Sequence, residues 1–78
     1  VFWDLARDPD EGVRACVARN ESAPCDVLRM LARDRSERVR GFLAVNFFVP
    51  HDAMEVLAAD SSRVVRDLVA WKRDLADA

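Results

Sequence analysis

Cysteine and glycine are scarce in this chain, and their scarcity excludes several kinds of site. The two cysteines among the 78 residues are too few for the disulfide framework that holds a small secreted domain together. The two glycines are isolated from each other, so the sequence has no glycine-rich loop that could hold a phosphate group. We therefore expect reduced thiols and a cytoplasmic setting.

An excess of one charge and a long apolar run are also missing. The 12 lysines and arginines are interleaved with 14 aspartates and glutamates, for a net charge of −2, whereas a strong nucleic-acid binder normally has a basic excess. No apolar run approaches the roughly 20 residues that a membrane span needs, and the acidic start VFWDLARD does not fit a signal peptide. Because the sequence begins without methionine, we expect it to be a segment of something longer.

What the chain does contain is an internal repeat, which decides the predicted fold. When the sequence is shifted by 26 positions, the distance from Leu5 to Leu31, three copies align without a gap. Repetition at such a period is typical of stacked units that bury their apolar sides against one another. The positions that are identical in all three copies are Leu5, Leu31 and Leu57; Ala6, Ala32 and Ala58; Asp8, Asp34 and Asp60; Val13, Val39 and Val65; Arg14, Arg40 and Arg66; and Ala18, Ala44 and Ala70.

Each copy predicts two short helices, of which the first follows a proline. Proline is tolerated in the first turn of a helix, so these helices should cover residues 24–34 and 50–60. The helix dipole favours a negative charge near the start, where Asp26 and Asp52 lie. Leu31, central on the apolar side of the earlier helix, is predicted to be a core residue.

The second helix of each copy is predicted to begin at the repeated aspartate. Asp8 with Glu11, and Asp34 with Glu37, have the spacing of capping boxes, in which the first residue caps the helix. This helix is short enough to be partly 3₁₀.

The end of the second helix differs among the copies. Asn20 and Asn46 favour a helix stop in the left-handed conformation. Lys72 occupies the equivalent place in the third copy, so we expect the last helix to run on, from about Ser62 to Leu75.

The motif LARDPDEGVRACVARNESAP, followed by CDVLRMLARD, resembles the repeat of the leucine-rich repeat variant family. The pattern of that family is roughly VRxxVAxNxxxPxxxLxxLAxD, and the resemblance covers nearly the whole chain; HEAT repeats follow a similar logic but are longer. The matching residues in one stretch are Val13, Arg14, Val17, Ala18, Asn20, Pro24, Leu28, Leu31, Ala32 and Asp34. Those in the next stretch are Val39, Arg40, Leu43, Ala44, Asn46, Pro50, Met54, Leu57, Ala58 and Asp60.

The resemblance implies an all-α fold, namely a right-handed α-solenoid of three 26-residue repeats, each made of an α-helix and a short α or 3₁₀ helix. We divide the single domain 1–78 into units of about 1–22, 23–48 and 49–78, and expect the array to continue in a longer protein. Some members of the family carry a cysteine-ligated iron–sulfur module. Two cysteines cannot supply its four thiolates, so we expect no cofactor. The usual role of the family is that of a binding scaffold.

The repeated charges form a ladder of Asp8, Asp34 and Asp60 with Arg14, Arg40 and Arg66. We interpret this ladder as structural. Each arginine follows a core valine and so lies beside the seam between copies, where a bidentate guanidinium can hold a carboxylate or a carbonyl. A row of arginines that binds phosphate is the alternative.

No constellation of catalytic or metal-binding residues is apparent. The serines stand at predicted helix starts, where capping is the ordinary explanation. Cys25 aligns with His51, which we expect to be solvated, and two ligands do not make a zinc site. Cys16 aligns with Phe42 and Leu68 and is expected to be a buried apolar thiol. We therefore predict no enzyme activity and no bound metal.

The outer side of the second helices offers the best candidate for a binding surface. There Val45 and Trp71 should lie side by side with Arg19 nearby, and tryptophan with arginine is typical of interface anchors. Packing of Trp71 on the end of the array is the alternative. Phe47 and Phe48 are expected to cover the core beneath their turn, or else to form an apolar contact patch. The predicted protein-binding surface consists of Arg19, Arg38, Val45 and Trp71.

A non-catalytic scaffold that mediates protein–protein interaction is the predicted function. A HEAT-like nucleic-acid-binding module and an accessory region of a larger enzyme are the alternatives. A continuous basic strip would favour nucleic acid, and scattered charge would favour protein. Both ends of a three-copy array should expose core-like surface, so we expect the chain either to continue or to associate with itself end to end.

Overall fold

Six α-helices make up the computed structural model, which describes residues 1–77; Ala78, the last residue of the third predicted unit, lies outside that range. No strand occurs among the described residues, so the all-α prediction is confirmed. Among the described helices, none combines the length and the apolar character that crossing a bilayer requires. The helices are α1 (Phe2–Ala6), α2 (Glu11–Arg19), α3 (Cys25–Leu31), α4 (Glu37–Ala44), α5 (His51–Ala58) and α6 (Arg63–Asp77).

The helices lie in two rows, one of odd-numbered and one of even-numbered helices. In the first row α3 packs against α1 and α5, and in the second row α4 packs against α2 and α6. Consecutive helices also contact each other, so the core lies between the rows. The large side chains that are fully buried come from both: Val27, Leu28, Leu31 and Leu57 from the first row, and Leu43, Val39, Val65 and Val69 from the second.

Leu31 and Leu5 show how position within the rows decides burial. Leu31 is 1 % exposed, whereas Leu5, in the same place of the first copy, is 40 % exposed. A leucine gains about 1.5–3 kcal/mol when it is fully buried, so Leu31 stabilises the fold and Leu5 adds little. Leu5 lies in α1, the outermost helix of its row, which has only 5 residues.

The second-row helices begin two residues later than the capping-box pattern predicts. The side chain of each observed cap accepts a hydrogen bond from a main-chain N–H of the first turn. The caps are Asp10 for α2 at 2.8 Å, Ser36 for α4 at 3.3 Å and Ser62 for α6 at 3.3 Å. Asp8 and Asp34 are not the caps that we predicted, because each accepts a bond from the main-chain N two residues on, at 2.8 and 2.9 Å. The aspartate side chain therefore closes a turn, and the residue that donates this bond, Asp10 or Ser36, is the N-cap of the helix. Glu11 and Glu37 therefore open their helices, too early to close a capping box.

The asparagines do not end their helices in the left-handed conformation, so that prediction is wrong. Asn20 has φ −79° and ψ 120°, and no non-glycine residue from 1 to 77 has a positive φ. Oδ1 of Asn20 and of Asn46 instead accepts a bond from the main-chain N two residues on, at 2.8 and 2.9 Å. The side chain thus holds the turn itself. Where Lys72 replaces the asparagine, α6 runs on to Asp77, close to the predicted end.

The first-row helices are shorter than predicted. Pro24 and Pro50 are the N-caps of α3 and α5, with ψ values of 148° and 149°, and the helices begin one residue later. They end at Leu31 and Ala58, before the aspartates that close the predicted ranges, because those aspartates belong to the turns that precede the second-row helices.

The buried side of α2 differs by one position from the prediction. Cys16, expected to be a buried thiol, is exposed, while the neighbouring Ala15 is buried. A Cβ atom added at Gly41, the equivalent of Ala15, would lie 3.5 Å from Cδ1 of Leu68 in the next helix of the row. The following helix therefore covers position 15, and Cys16 stays uncovered because no helix precedes α2 in its row.

Candidate functional site

The repeated arginines and aspartates meet between neighbouring copies. Arg14 Nε donates to Asp34 Oδ2 at 2.9 Å, and Arg40 Nε donates to Asp60 Oδ2 at 2.7 Å. Each contact joins a second-row helix to the turn before the next one, 20 residues along the chain. Arg14 is buried, and the side chains of its pair are 4 % and 9 % exposed, so water screens this ion pair only weakly.

Two further hydrogen bonds complete each site of the ladder. Nη1 of each arginine donates to the main-chain O of the aspartate six residues earlier. The distance is 2.7 Å for Arg14, 2.6 Å for Arg40 and 2.6 Å for Arg66. Oδ1 of each aspartate accepts a hydrogen bond from the main-chain N two residues on. The distance is 2.8 Å for Asp8, 2.9 Å for Asp34 and 2.8 Å for Asp60. The guanidinium groups of Arg14 and Arg40 thus have protein partners on two sides, which leaves them little capacity for a phosphate ligand.

A shallow apolar groove of about 300 Å³ lies between α4 and α6. Phe42 of α4 and Val45, the C-cap of that helix, line one side of the groove. Val64 and Leu68 of α6 line the other side, and Arg38 also belongs to the lining. Val64 is exposed, and Leu68 is half-buried. The groove therefore offers apolar surface in a concave shape, as binding sites commonly do.

Two arginines stand over the ring of Phe42. Cζ of Arg19 lies 5.3 Å from the ring centroid, and Cζ of Arg38 lies 5.8 Å from it. A guanidinium within about 6 Å of a ring centroid is attracted to the face of the ring. Arg38 also approaches the carboxylate of Glu11 at 4.0 Å. The groove thus has two exposed cations beside its aromatic side chain, and the exposed carboxylates of Glu11 and Glu37 lie at the same place.

Three of the four residues predicted for the binding surface gather at this groove. Arg38 and Val45 line it, and Arg19 stacks over its phenylalanine. Trp71 is not among the lining residues and is 49 % exposed further along α6. Phe42 was not predicted to belong to this surface, because its alignment with Cys16 indicated a core position; the spacing of four residues from Arg38 to Phe42 was the available signal.

A second concave surface of about 360 Å³ lies between the end of α6 and the loop that follows α4. Phe47 lines it together with Met54, Lys72 and Leu75. Phe47 is 68 % exposed, and Phe48 is exposed as well, so the expectation that they cover the core is wrong. Hydrogen-bonded polar groups occupy the space beneath this turn.

Lys72 is one of these polar groups. Its Nζ donates to the main-chain O of Asn46 at 2.5 Å, lies 3.4 Å from Sδ of Met54, and stands 5.8 Å from the ring centroid of Phe47. Burial lowers the pKa of Lys72 below its ordinary value of 10.5, because desolvation disfavours the charged ammonium form.

A separate cluster of charges joins the first-row helices at the surface. Arg29 Nη1 lies 2.7 Å from Asp26 Oδ1, and its Nε lies 2.9 Å from Asp52 Oδ2. The hydrogen bond to Asp52, followed by that to Asp26, raises the pKa of Arg29. Exposed pairs of this kind contribute little to stability.

Among residues 1–77, no group of three or more histidine, cysteine, aspartate or glutamate side chains could hold a metal ion. His51 is exposed, with Nε2 3.6 Å from a carboxylate oxygen of Glu55. Cys16 and Cys25 are exposed free thiols. The concave surfaces of the described chain are therefore the two apolar concavities and a third, polar one of about 390 Å³, which is lined by Arg7, Arg33 and Arg35 together with Arg14 and Asp34 of the ladder.

The fold and its surface define an all-helical chain with two rows of helices and an arginine-flanked apolar groove. Comparison with known proteins gives no match, whether to a family model, to a curated protein or to a solved structure. The function must therefore be inferred from the surface of the chain itself.

Proposed function

We propose that this chain is a non-catalytic repeat scaffold that binds a protein partner, built as a three-repeat α-solenoid of the leucine-rich repeat variant or HEAT-like kind. The recurrence of the same contacts supports the solenoid. The pair of Arg14 with Asp34 recurs as Arg40 with Asp60, and the helix caps follow one another at the same 26-residue step, from Asp10 to Ser36 to Ser62. In such an array each unit buries its apolar side mainly against its neighbours.

The groove between α4 and α6 is the observation that carries the proposed binding. Exposed apolar side chains that line a concave surface are typical of interaction sites. The two guanidinium groups over Phe42 add cations at this place, beside the carboxylates of Glu11 and Glu37, and arginines and aromatic residues are enriched among the residues that dominate binding. The groove therefore fits an amphipathic peptide segment whose apolar side chain fills it and whose carboxylate pairs with Arg19 or Arg38.

A displayed library of random peptides can test this proposal with the immobilised chain. We expect the selected peptides to share an apolar residue with an aspartate or glutamate one helical turn away. The dissociation constants of selected peptides, measured by fluorescence anisotropy, should rise at least about tenfold in Val64→Ser and Arg38→Glu. Arg35→Glu is the matched control, because it reverses an exposed arginine that does not line the groove.

Equal effects of Arg38→Glu and Arg35→Glu, or selected peptides without acidic residues, would contradict the assignment to the groove. Duplex DNA serves as the probe for the nucleic-acid alternative, against which the net charge of −2 argues. Micromolar binding to duplex DNA that weakens steeply with salt would favour that alternative instead.

A further inference from the structure

The polar concavity of about 390 Å³ lies at the seam between the first and the second copy. Arg7 of the first copy lines it together with Arg33 and Arg35 of the second, and these three residues are called the arginine cluster below. Asp34 is the one carboxylate among the lining residues, and Arg14 already pairs with it at 2.9 Å. The lining therefore carries an excess of three positive charges, although the chain as a whole has a net charge of −2.

The arginine cluster has no carboxylate partner within the described residues. Six of the 12 lysine and arginine side chains form an ion pair with an aspartate or glutamate, and none of the cluster is among them. Arg7 instead lies over the ring of Trp3, with Cζ 5.3 Å from the centroid. Half of the cations that lack a carboxylate partner are thus gathered at one concave surface, where their mutual repulsion favours an anion.

Helix geometry explains two arginines of the cluster but not the third. Arg7 is the C-cap of α1, and Arg33 lies two residues beyond the last residue of α3. The helix dipole favours a cation near the end of a helix. Arg35, however, directly precedes Ser36, the N-cap of α4, where the dipole disfavours a cation. Stability of the helices therefore gives no reason for an arginine at position 35.

The cluster is confined to this one seam. When the sequence is shifted by 26 positions, Arg33 aligns with Ala59 and Arg35 aligns with Ser61. The next seam thus lacks two of the three guanidinium groups, although it keeps the ladder pair of Arg40, so the fold does not require the cluster. A polyanion that runs along the array would need cations that recur at successive seams, whereas a single cluster fits one compact anion.

We infer that the arginine cluster is a binding site for a phosphate monoester group. Such a group carries about two negative charges and three strong acceptor oxygens, which is one acceptor for each guanidinium. A guanidinium can donate two parallel N–H bonds to an oxyanion, and clusters of arginines commonly recognise phosphorylated groups. Arg14 takes no part, because it stays paired with Asp34. A phosphorylated side chain of a protein and a free phosphate compound both present this chemistry.

An NMR titration of the full chain tests the inference. The probes are inorganic phosphate, a short phosphoserine peptide, and the same peptide with glutamate in place of phosphoserine. We expect the amide signals of residues 33–36 to shift saturably with both phosphate probes, at dissociation constants below about 1 mM. The glutamate peptide, with less charge and fewer acceptor oxygens, should bind about tenfold more weakly. Tighter binding of the phosphoserine peptide would identify a phosphorylated protein as the source of the group, and tighter binding of inorganic phosphate would identify a small phosphate compound.

Two variants remove arginines of the cluster at little risk to folding. Arg33→Ala and Arg35→Ser introduce the residues that the third copy has at the same places. Each should weaken the binding of both phosphate probes about tenfold, because it removes a hydrogen bond to a charged group. Arg19→Gln is the matched control and should leave binding unchanged. It removes another exposed arginine that has no ion pair within the described residues and that does not line the concavity.

Several outcomes would overturn the inference. These are the absence of saturable shifts with both phosphate probes at about 10 mM, and an equal loss of binding in Arg19→Gln and Arg35→Ser. Equal binding of the glutamate peptide would show that any carboxylate suffices, and tighter binding of duplex DNA than of both phosphate probes would make the diester backbone the ligand. The inference does not rest on the groove between α4 and α6, so either can fail without the other.

Discussion

Lys72 makes with Asn46 the contact that Asn46 makes with the copy before it. Nζ of Lys72 donates to the main-chain O of Asn46 at 2.5 Å. Nδ2 of Asn46 donates to the main-chain O of Ala18 at 2.8 Å and lies 3.4 Å from that of Asn20. The seam between copies keeps its hydrogen bond although the residue type changes, because the longer amine reaches back from a helix that no longer ends at this position.

Replacement of Asn46 tests how much this seam stabilises the fold. Asn46→Ala leaves the carbonyl of Ala18 and the main-chain N of Phe48 without their partner, and should lower the free energy of unfolding by about 1–3 kcal/mol. Asn20→Ala is the matched control: Asn20 is exposed and accepts one bond from its own turn, so its loss should be about 1 kcal/mol or less. Equal losses in urea denaturation would show that the contact between copies contributes nothing.

Leu31 and Leu5 form a second matched pair, in the apolar core. Leu31→Ala should cost about 2–5 kcal/mol, because it removes a fully buried side chain and leaves a cavity. Leu5→Ala changes the same residue type at an exposed position, so we expect a cost of about 0.5 kcal/mol. Thermal and urea unfolding of both variants measure the difference, and a loss below about 1 kcal/mol for Leu31→Ala would mean that the wrong side of α3 is inside.

Arg14 and Arg66 separate the ion pair from the other bonds of the ladder. Both donate Nη1 to a main-chain O, but Arg14 also holds the shielded carboxylate of Asp34. Arg14→Ala should therefore cost about 3–5 kcal/mol, since it leaves a buried charge without a partner, and Arg66→Ala should cost about 1 kcal/mol or less in the monomer.

A double-mutant cycle with Asp34→Ala supplies the control for this pair. If the two groups act on each other, the double variant should lose less stability than the sum of the single losses, with a coupling of about 0.5–3 kcal/mol. Additive losses would mean that Arg14 acts through its packing rather than through Asp34.

The all-helical class could be predicted from the sequence because the spacing of apolar residues reports directly on helix faces. Leu31 and Val39 are buried as their periodicity predicted. The helix starts could not be placed to the residue, because an aspartate that closes a turn and an aspartate that caps a helix look the same in sequence. Asp34 belongs to the first kind, and Ser36 is the cap.

The surface features could not be predicted from any single copy of the repeat, because they depend on which helices of neighbouring copies contact each other. Cys16 and Phe42 occupy the same place in their copies, yet the burial of each depends on whether a helix precedes it in the row. The groove beside Phe42 arises where α4 and α6 meet, so its lining combines residues that are distant in sequence. Trp71 occupies the place of Val45 in its copy but lies outside this lining, which the alignment of the copies could not indicate.

The stability of the chain should also depend on pH through Lys72, the one lysine in the sequence. Burial lowers the pKa of Lys72 in the folded chain below the ordinary 10.5, so between these two values the unfolded chain binds more protons than the folded one. Stability linked to Lys72 must therefore rise with pH in that window, and at lower pH the unfavourable burial of the charge is fully present.

Urea denaturation of the wild type and of Lys72→Asn at increasing pH measures this contribution. The variant carries the residue of the equivalent position in the other copies and has no amine to titrate there, while every other titrating group is common to both chains. The difference in free energy of unfolding, wild type minus variant, should increase as the pH approaches 10.5 from neutrality. A difference that stays flat or falls would mean that Lys72 is solvated in the folded chain and that its contact with Asn46 does not persist in solution.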